Sequence, residues 1–552
     1  MARRSRAPKK QAPEQPEDDI TNENCYIIPF DANGAQSRQD DTAVAFPNHP
    51  SVEWDVEDGP ATRLNACAAA LKRCLGRMQS ILAELRATTV DEIHDFVTVE
   101  SEPNPLMPYT TTPAVIVSAS DPGLVKDIMN DLCERLEQNT SNKVVHLYPT
   151  DCLNISSTLK VLVSSFVGDG IQGSSRGSSS NDLAVLRSWF QTQNQDGPVR
   201  VVVLFHNIEM FDVQVLQELF SINSLYASDI PFVYCLGTAA RTDFLRSCLP
   251  RATLACLQIR KFVMSQTSTA VFETLIRKLF FDPDFSPDVM LGPAAFDLLL
   301  DEANRFNASI DFLQAALRLV HMHHFMEPLT SFCLDELLGE TDRKHAARLL
   351  DNTDSTGFKE RLQASLDIEP GQGDTGAKLL DLVSHARRVF IEKLRSLRVA
   401  FGLLSVIQTQ LRDQQFRVPE LRYGFGHLIQ LCLSGTLGKT VKELCVIISK
   451  LSVEQLRTLL SHIHIFFYSL SPQNRNAEQE IRTRLVQEKA RVAAIQAPEE
   501  GGPVAADVSN WIHDYLAERF VKLDDLPMYN AFCTGHTTYS AEVRTGSGCR
   551  AH

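Results

Sequence analysis

No window of this 552-residue chain approaches 18 uninterrupted apolar residues, and no apolar run follows its first basic residues. The chain is therefore expected neither to span a membrane nor to carry a secretory signal. Its 13 cysteines form no C-x-x-C pair, so neither a zinc ribbon nor a disulfide framework is indicated. Free thiols in a reducing compartment account for them. The N-x-S matches at Asn139, Asn154 and Asn307 then carry no glycan. An excess of positive charge is missing as well: the net charge of −14 argues against the whole chain coating DNA. G-x-S-x-G, H-E-x-x-H and a Cys–His nucleophile arrangement are all absent. So is any repeat of fixed period, which leaves a solenoid without support.

What is present is an ordinary globular composition, 44% apolar and 22% charged, over a length that suits three or four domains. Residues 1–50 are rich in Pro, Gln, Asn, Asp and Glu and lack periodicity, so they are expected to form a mostly disordered tail. Within it Arg3, Arg4, Arg6, Lys9 and Lys10 precede Glu14, Glu17, Asp18 and Asp19. A solvated terminus and a nuclear-import address both fit this short basic run. Leu71, Leu75, Met78, Ile81, Leu82 and Leu85 then predict an amphipathic helix within 61–99. A second short helix is expected over 90–97, before the break at Pro103, Pro105 and Pro108.

From 114 to 260 short apolar runs alternate with helical patterns, which predicts parallel strands joined by helical crossovers. The expected strands are 114–117, 143–147, 200–205, 232–236 and 255–259; the expected helices are 124–138, 156–166, 183–193, 213–224 and 242–249. Residues 200–205 are apolar on both faces, as a strand covered on two sides must be. Residues 168–180 read as a surface loop whose glycines are followed by no motif lysine. Beyond 265 the pattern is helical, at 268–280, 293–306, 309–325, 377–412, 418–433, 441–451, 453–470 and 477–495. Residues 351–376 are expected to be a mobile linker, and 498–503 a shorter one.

The segment Ser118-Ala-Ser-Asp-Pro-Gly-Leu-Val125 lies between an apolar run and a helix pattern, the setting of the phosphate loop G-x-x-x-x-G-K-[ST]. Ser118 and Gly123 take the glycine places, Leu124 the lysine place and Val125 the hydroxyl place. A lysine there meets phosphates and a hydroxyl holds magnesium; Leu and Val do neither. Asp121 adds a negative charge where helix N–H groups would otherwise receive an anion. The run Val201 to Glu209 stands where such enzymes end a central strand with a metal-binding carboxylate and a catalytic one. Asn207 falls near the metal position and Ile208 near the catalytic one; Glu209 or Asp212 would substitute if the register slipped. Two degenerate motifs in the right order describe the architecture of an ATPase with its site lost.

Other polar residues carry weaker signals. Thr238 ends the fourth strand, where such folds often sense phosphate, though a turn residue fits equally. His321, His323 and His324 cluster on one helix, but no companion ligand is suitably spaced, so surface or interface histidines are expected. His462 and His464, two apart, diverge around a helix.

Five stretches carry a resemblance to a family: Val90 to Val97, Val201 to Glu209, Phe232 to Thr238, Phe306 to Asp311 and His323 to Leu329. Their order resembles the third subunit of the eukaryotic origin recognition complex, over roughly 60–530. The resemblance implies an α/β plus all-α fold: a degenerate AAA+-like parallel-sheet domain, a helical lid, a large helical insertion and a winged helix. Expected boundaries are 1–50 for the disordered tail, 51–262 for the AAA+-like domain with its helical lead-in, 263–335 for the lid, 336–503 for the insertion and 504–552 for a truncated winged-helix start and irregular tail. Residues 534–552 lose apolar periodicity, so that last region is expected to be incomplete. The resemblance implies a noncatalytic nuclear subunit that helps assemble an ATP-dependent ring on origin DNA. Its partners would be the other subunits and, indirectly, the replicative helicase loading factors, with no membrane, cofactor or metal. A helical scaffold unrelated to replication and an NTPase using atypical residues are the competing readings.

Overall fold

The run Arg200-Val-Val-Val-Leu-Phe205 is an inner strand of a five-stranded parallel sheet, buried on both faces as its composition requires. The computed structural model describes residues 59–98, 111–138, 142–167, 183–193, 200–239, 244–264, 266–305, 309–332, 340–351, 356–368, 375–416, 418–495 and 501–534, all within the unit 46–552. The basic run at 3–10, the break at 103–108, the loop at 168–180 and the last residues, 535–552, lie outside the described residues.

Helix α1 (Gly59–Thr98) leads into β1 (Thr112–Ser118) and α2 (Pro122–Gln138). Then come β2 (Asn142–Leu147), α3 (Ile155–Val167), α4 (Leu183–Gln193), β3 (Arg200–Phe205), α5 (Val213–Leu225) and β4 (Phe232–Thr238). Two short helices, α6 (Phe244–Cys248) and α7 (Arg251–Ala255), precede β5 (Leu257–Val263). The strand order is β2-β3-β4-β1-β5, all parallel, with Ser118 beside Thr238 and Leu147 beside Phe205. Val202 and Leu204 share a core with α1 and α2, whereas Val201, Val203 and Phe205 pack with α3, α4 and α5. The loop after β1 thus opens at the carboxyl ends of the strands, where the chain order reverses and open α/β sheets bind ligands.

Two expectations about the first half need correction. Residues 90–97 are not a separate helix but the last turns of α1. Val90, Ile93 and Val97 extend the buried stripe of Met78, Ile81 and Leu82, and nothing between them breaks a helix. Arg86, 8% exposed, holds the same stretch by donating to Asp127 (3.1 Å) and Asp131 (2.9 Å) of α2. The helix expected over 242–249 is α6, at 244–248, and a further short helix, α7, follows Pro250 where the next strand is expected to begin. That second helix displaces β5 two residues along. As an edge strand, β5 buries Leu257 and Phe262 but exposes Gln258, Arg260 and Lys261.

The rest is helical apart from β6 (Met290–Leu291) and β7 (Cys533–Thr534). The helices are α8 (Ser268–Phe280), α9 (Pro293–Arg305), α10 (Ile310–Phe325), α11 (Glu340–Asp351), α12 (Thr356–Ser365) and α13 (Gly376–Asp413). They continue with α14 (Phe425–Leu433), α15 (Gly438–Ile448), α16 (Val453–Ser469), α17 (Pro472–Ala477), α18 (Gln479–Ala494), α19 (Gly501–Arg519) and α20 (Tyr529–Phe532). The linker expected over 351–376 contains α12, which buries Phe358 and Leu362, with Leu366 buried just after it. The helix expected over 418–433 begins only at Phe425, after a single turn at Pro419–Arg422 and the extended Gly424. Pro503 lies in the first turn of α19, where a missing N–H costs nothing, so the helix starts inside the expected linker.

One continuous apolar core joins these helices to the α2 face of the sheet. Arg398 of α13, 1% exposed, donates to the carbonyls of Phe280 (2.8 Å) and Phe285 (2.9 Å), tying α13 to the end of α8. The short parallel pair β6–β7 brings the chain near 534 back beside α9. Gly292 permits that approach, because an added Cβ would collide with the Thr534 carbonyl.

Candidate functional site

Asp121 precedes α2 and Pro122 is its first residue, a position that suits proline's fixed φ and missing donor. The Asp121 carboxylate, in a residue 6% exposed, accepts from two different helices. Oδ1 accepts the Gly123 N–H at 2.8 Å and Oδ2 accepts the Ile310 N–H at 3.0 Å. The first is an ordinary N-cap of α2. The second caps α10 from another helix, where the side chain of α10's own N-cap residue, Ser309, makes no capping bond. An internal carboxylate thus takes one N–H at the start of α2 and one at the start of α10.

The four loop positions are structural. Ser118 ends β1, is buried beside Thr238, and accepts the Met264 N–H through its carbonyl at 3.0 Å. A Cβ on Gly123 would stand 3.1 Å from Asp121 Oδ1, so glycine lets the cap close. Leu124 is 0% exposed and Val125 4%, both in the core. Val125 lies against Gly237 of β4, where a Cβ would come within 3.1 Å of Val125 Cγ1. Thr238, the last residue of β4, is buried.

At the end of β3, alternation places Val202 and Leu204 on the α2 face, and the next side chain on that face is His206. His206 is therefore the side chain that continues the α2-facing line of β3 past Phe205. Asn207 is exposed in a left-handed conformation (φ 52°, ψ 62°) that asparagine tolerates, and it opens a single helical turn over 208–210. Ile208 is buried in the opposite core. Glu209 Oε1 accepts the Ala239 N–H (2.9 Å), and Asp212 caps α5 through the Gln214 N–H (2.9 Å).

His206 belongs to a cluster that the sequence did not reveal. Its Nε2 is 2.9 Å from His146 Nδ1, and His146 Nε2 is 3.2 Å from Cys133 Sγ. Tyr148 stacks on His206 at 4.5 Å between ring centroids. Burial, with smaller contributions from His146 and Lys126, pushes the His206 imidazole down to about 4. Burial also lowers His146. The pairing of β2 with β3 creates this cluster, since His206 N–H donates to the Leu147 carbonyl across a gap of some sixty residues that no local motif spans.

His321 and His324, expected at a surface or an interface, are buried, 2% and 6% exposed, on a helix against which α1, the turn at 328–332 and β7 pack. His321 Nδ1 lies 2.7 Å from the Leu317 carbonyl, and burial drives His324 down to about 3. His462 bonds locally to the Thr458 carbonyl at 2.9 Å. Among the described residues no three His, Cys, Asp or Glu side chains gather as a metal cluster.

A parallel 2-3-4-1-5 sheet followed by an extensive helical region is an AAA+-related architecture. A family model described as the N-terminus of origin recognition complex (ORC) subunit 3 matches residues 19–332, more than half of the sequence, and the chain belongs to that family. An origin recognition complex subunit 3 from Spermophilus citellus is 23% identical over 232 residues, 37% of this chain and 32% of the relative, so the match spans about a third of that protein. The fold is similar to a chain of Drosophila ORC bound to poly(dA/dT) DNA and Cdc6, with a TM-score of 0.68 at 17% identity over 97% of this chain and 85% of that one. A chain of Drosophila ORC bound to DNA gives 0.66 at 17% identity, over 96% and 85%.

Proposed function

We propose that this chain is a noncatalytic structural subunit of an origin recognition complex, contributing surface to an ATP-dependent ring on DNA in the nucleus. Family membership supplies the assembly, and the observation that carries the noncatalytic role is the Asp121 carboxylate bonded to both Gly123 and Ile310. A lysine and a hydroxyl that would meet phosphate and magnesium are replaced by buried Leu124 and Val125. The similar Drosophila chains come from complexes with DNA and with Cdc6, which supports a place beside DNA for this chain and an indirect role in loading the replicative helicase. Residues 51–262 would form the AAA+-like domain, 263–335 the lid, 336–503 the insertion and 504–552 the start of a winged helix.

Affinity purification of the tagged chain from nuclei, read by mass spectrometry, tests the assembly. The other origin recognition subunits should be recovered together; their absence would overturn the reading in favour of an unrelated helical scaffold.

A further inference from the structure

We infer that Asp121 stands in for the phosphate of a bound nucleotide, clamping α10 to the sheet domain without any ligand. Three observations meet here. The carboxylate lies at the carboxyl edge of the sheet, immediately after β1, at the N-terminus of the 17-residue helix α2. It is almost wholly buried, and each oxygen has a backbone donor, one from its own helix and one from α10. The N-cap side chain of α10 makes no cap of its own, so Asp121 supplies what that helix end lacks.

Two helix N-termini converging on one anion is the arrangement by which a phosphate would hold a lid against a core. A carboxylate built into the chain does this permanently. Its position is fixed by Pro122, and Gly123 leaves room for Oδ1 where a side chain would press on it. The α10 helix is also joined to α1 by direct packing, so the clamp orders its first turn rather than the whole helix. The consequence is a lid contact indifferent to nucleotide, in an assembly whose other members bind ATP on the reading above. The inference extends that reading but is tested on the isolated full chain, so either can fail alone.

The test is amide hydrogen exchange at Gly123, Ile310 and the rest of their first turns. In the unaltered chain, adding ATP with magnesium should leave these amides unchanged; slowing of Ile310 exchange by ATP would overturn the inference. In Asp121→Ala both amides should exchange about tenfold faster, the order expected for a lost cap. Inorganic pyrophosphate should slow them again by occupying the vacated anion position. Unchanged exchange in Asp121→Ala would overturn the clamp. Faster exchange with no response to pyrophosphate would overturn the phosphate analogy. Should Asp121→Ala fail to fold, Asp121→Asn keeps the shape and one acceptor, and must still release one of the two amides for the inference to stand.

Discussion

Leu124 occupies the place of a motif lysine, yet its side chain has no solvent exposure and belongs to the core that α2 shares with the sheet. Leu124→Lys would therefore bury an unpaired ammonium instead of restoring a phosphate contact. Its expected effect is a stability loss of at least about 3 kcal/mol with no gain in nucleotide binding, read by urea unfolding and by ATP titration. A second residue-scale prediction concerns pH. His324 is held down to about 3, chiefly by burial and then by His321, with His323 and Arg387 acting in the same direction. The unfolded chain has its ordinary value of 6.5, so between these values the unfolded state binds the extra proton. The stability from a neutral His324 is complete above pH 6.5 and is lost as pH falls toward 3, by at most about 1.4 kcal/mol per pH unit. Urea midpoints should drop from neutral to mildly acidic pH, and His324→Gln should flatten that slope. Equal slopes in the two proteins would refute the assignment.

At the scale of elements, α16 shows how an apolar stripe divides between core and surface. Leu456, Leu459, Leu460, Ile463 and Phe467 are buried, so the stripe is internal, and Phe466 presses against Gly402 of α13. Ile465 and Tyr468 are the large apolar side chains left exposed on that helix, 61% and 65%. Phe467→Ala should cost about 3–5 kcal/mol of stability, whereas Ile465→Ser should leave thermal unfolding nearly unchanged. Comparable losses from both would mean that the exposed face is covered. Gly292 sets a different constraint. Gly292→Ala should push β7 off β6 and raise hydrogen exchange across 531–534, while leaving the parallel sheet protected.

On the scale of the whole molecule, the isolated chain is expected to hydrolyse no ATP above a buffer background. Asp121 caps the turn before α2, Leu124 and Val125 are core residues, and burial pushes the His206 imidazole at the end of β3 down to about 4. Steady-state hydrolysis by purified protein measures this, and turnover abolished by Glu209→Gln would sink the dead-site reading. The continuous core from α1 through α19 also predicts that helices beyond 376 cannot be removed without destabilising the sheet domain. Deletion of 377–495 should give a chain with lowered thermal stability, not one that merely loses partners.

Much of this was legible in the residues. The strand runs and the order of helix patterns follow from local composition, because helices and strands bury one face at a fixed period. The local sequence also identified the family, through stretches such as Val201 to Glu209. Only the tertiary structure decided which side chains meet. Pairing of β2 with β3 brought His146 to His206; strand alternation, not spacing from a motif, put His206 on the face of α2; and packing of α10 against the sheet domain gave Asp121 its second donor at Ile310. A helix, α12, stands within the expected linker, and His321 and His324, expected at a surface or an interface, are buried. Periodicity reports that a face will be covered, but what covers it depends on contacts between residues far apart in the chain, and those are set by the burial of the whole core.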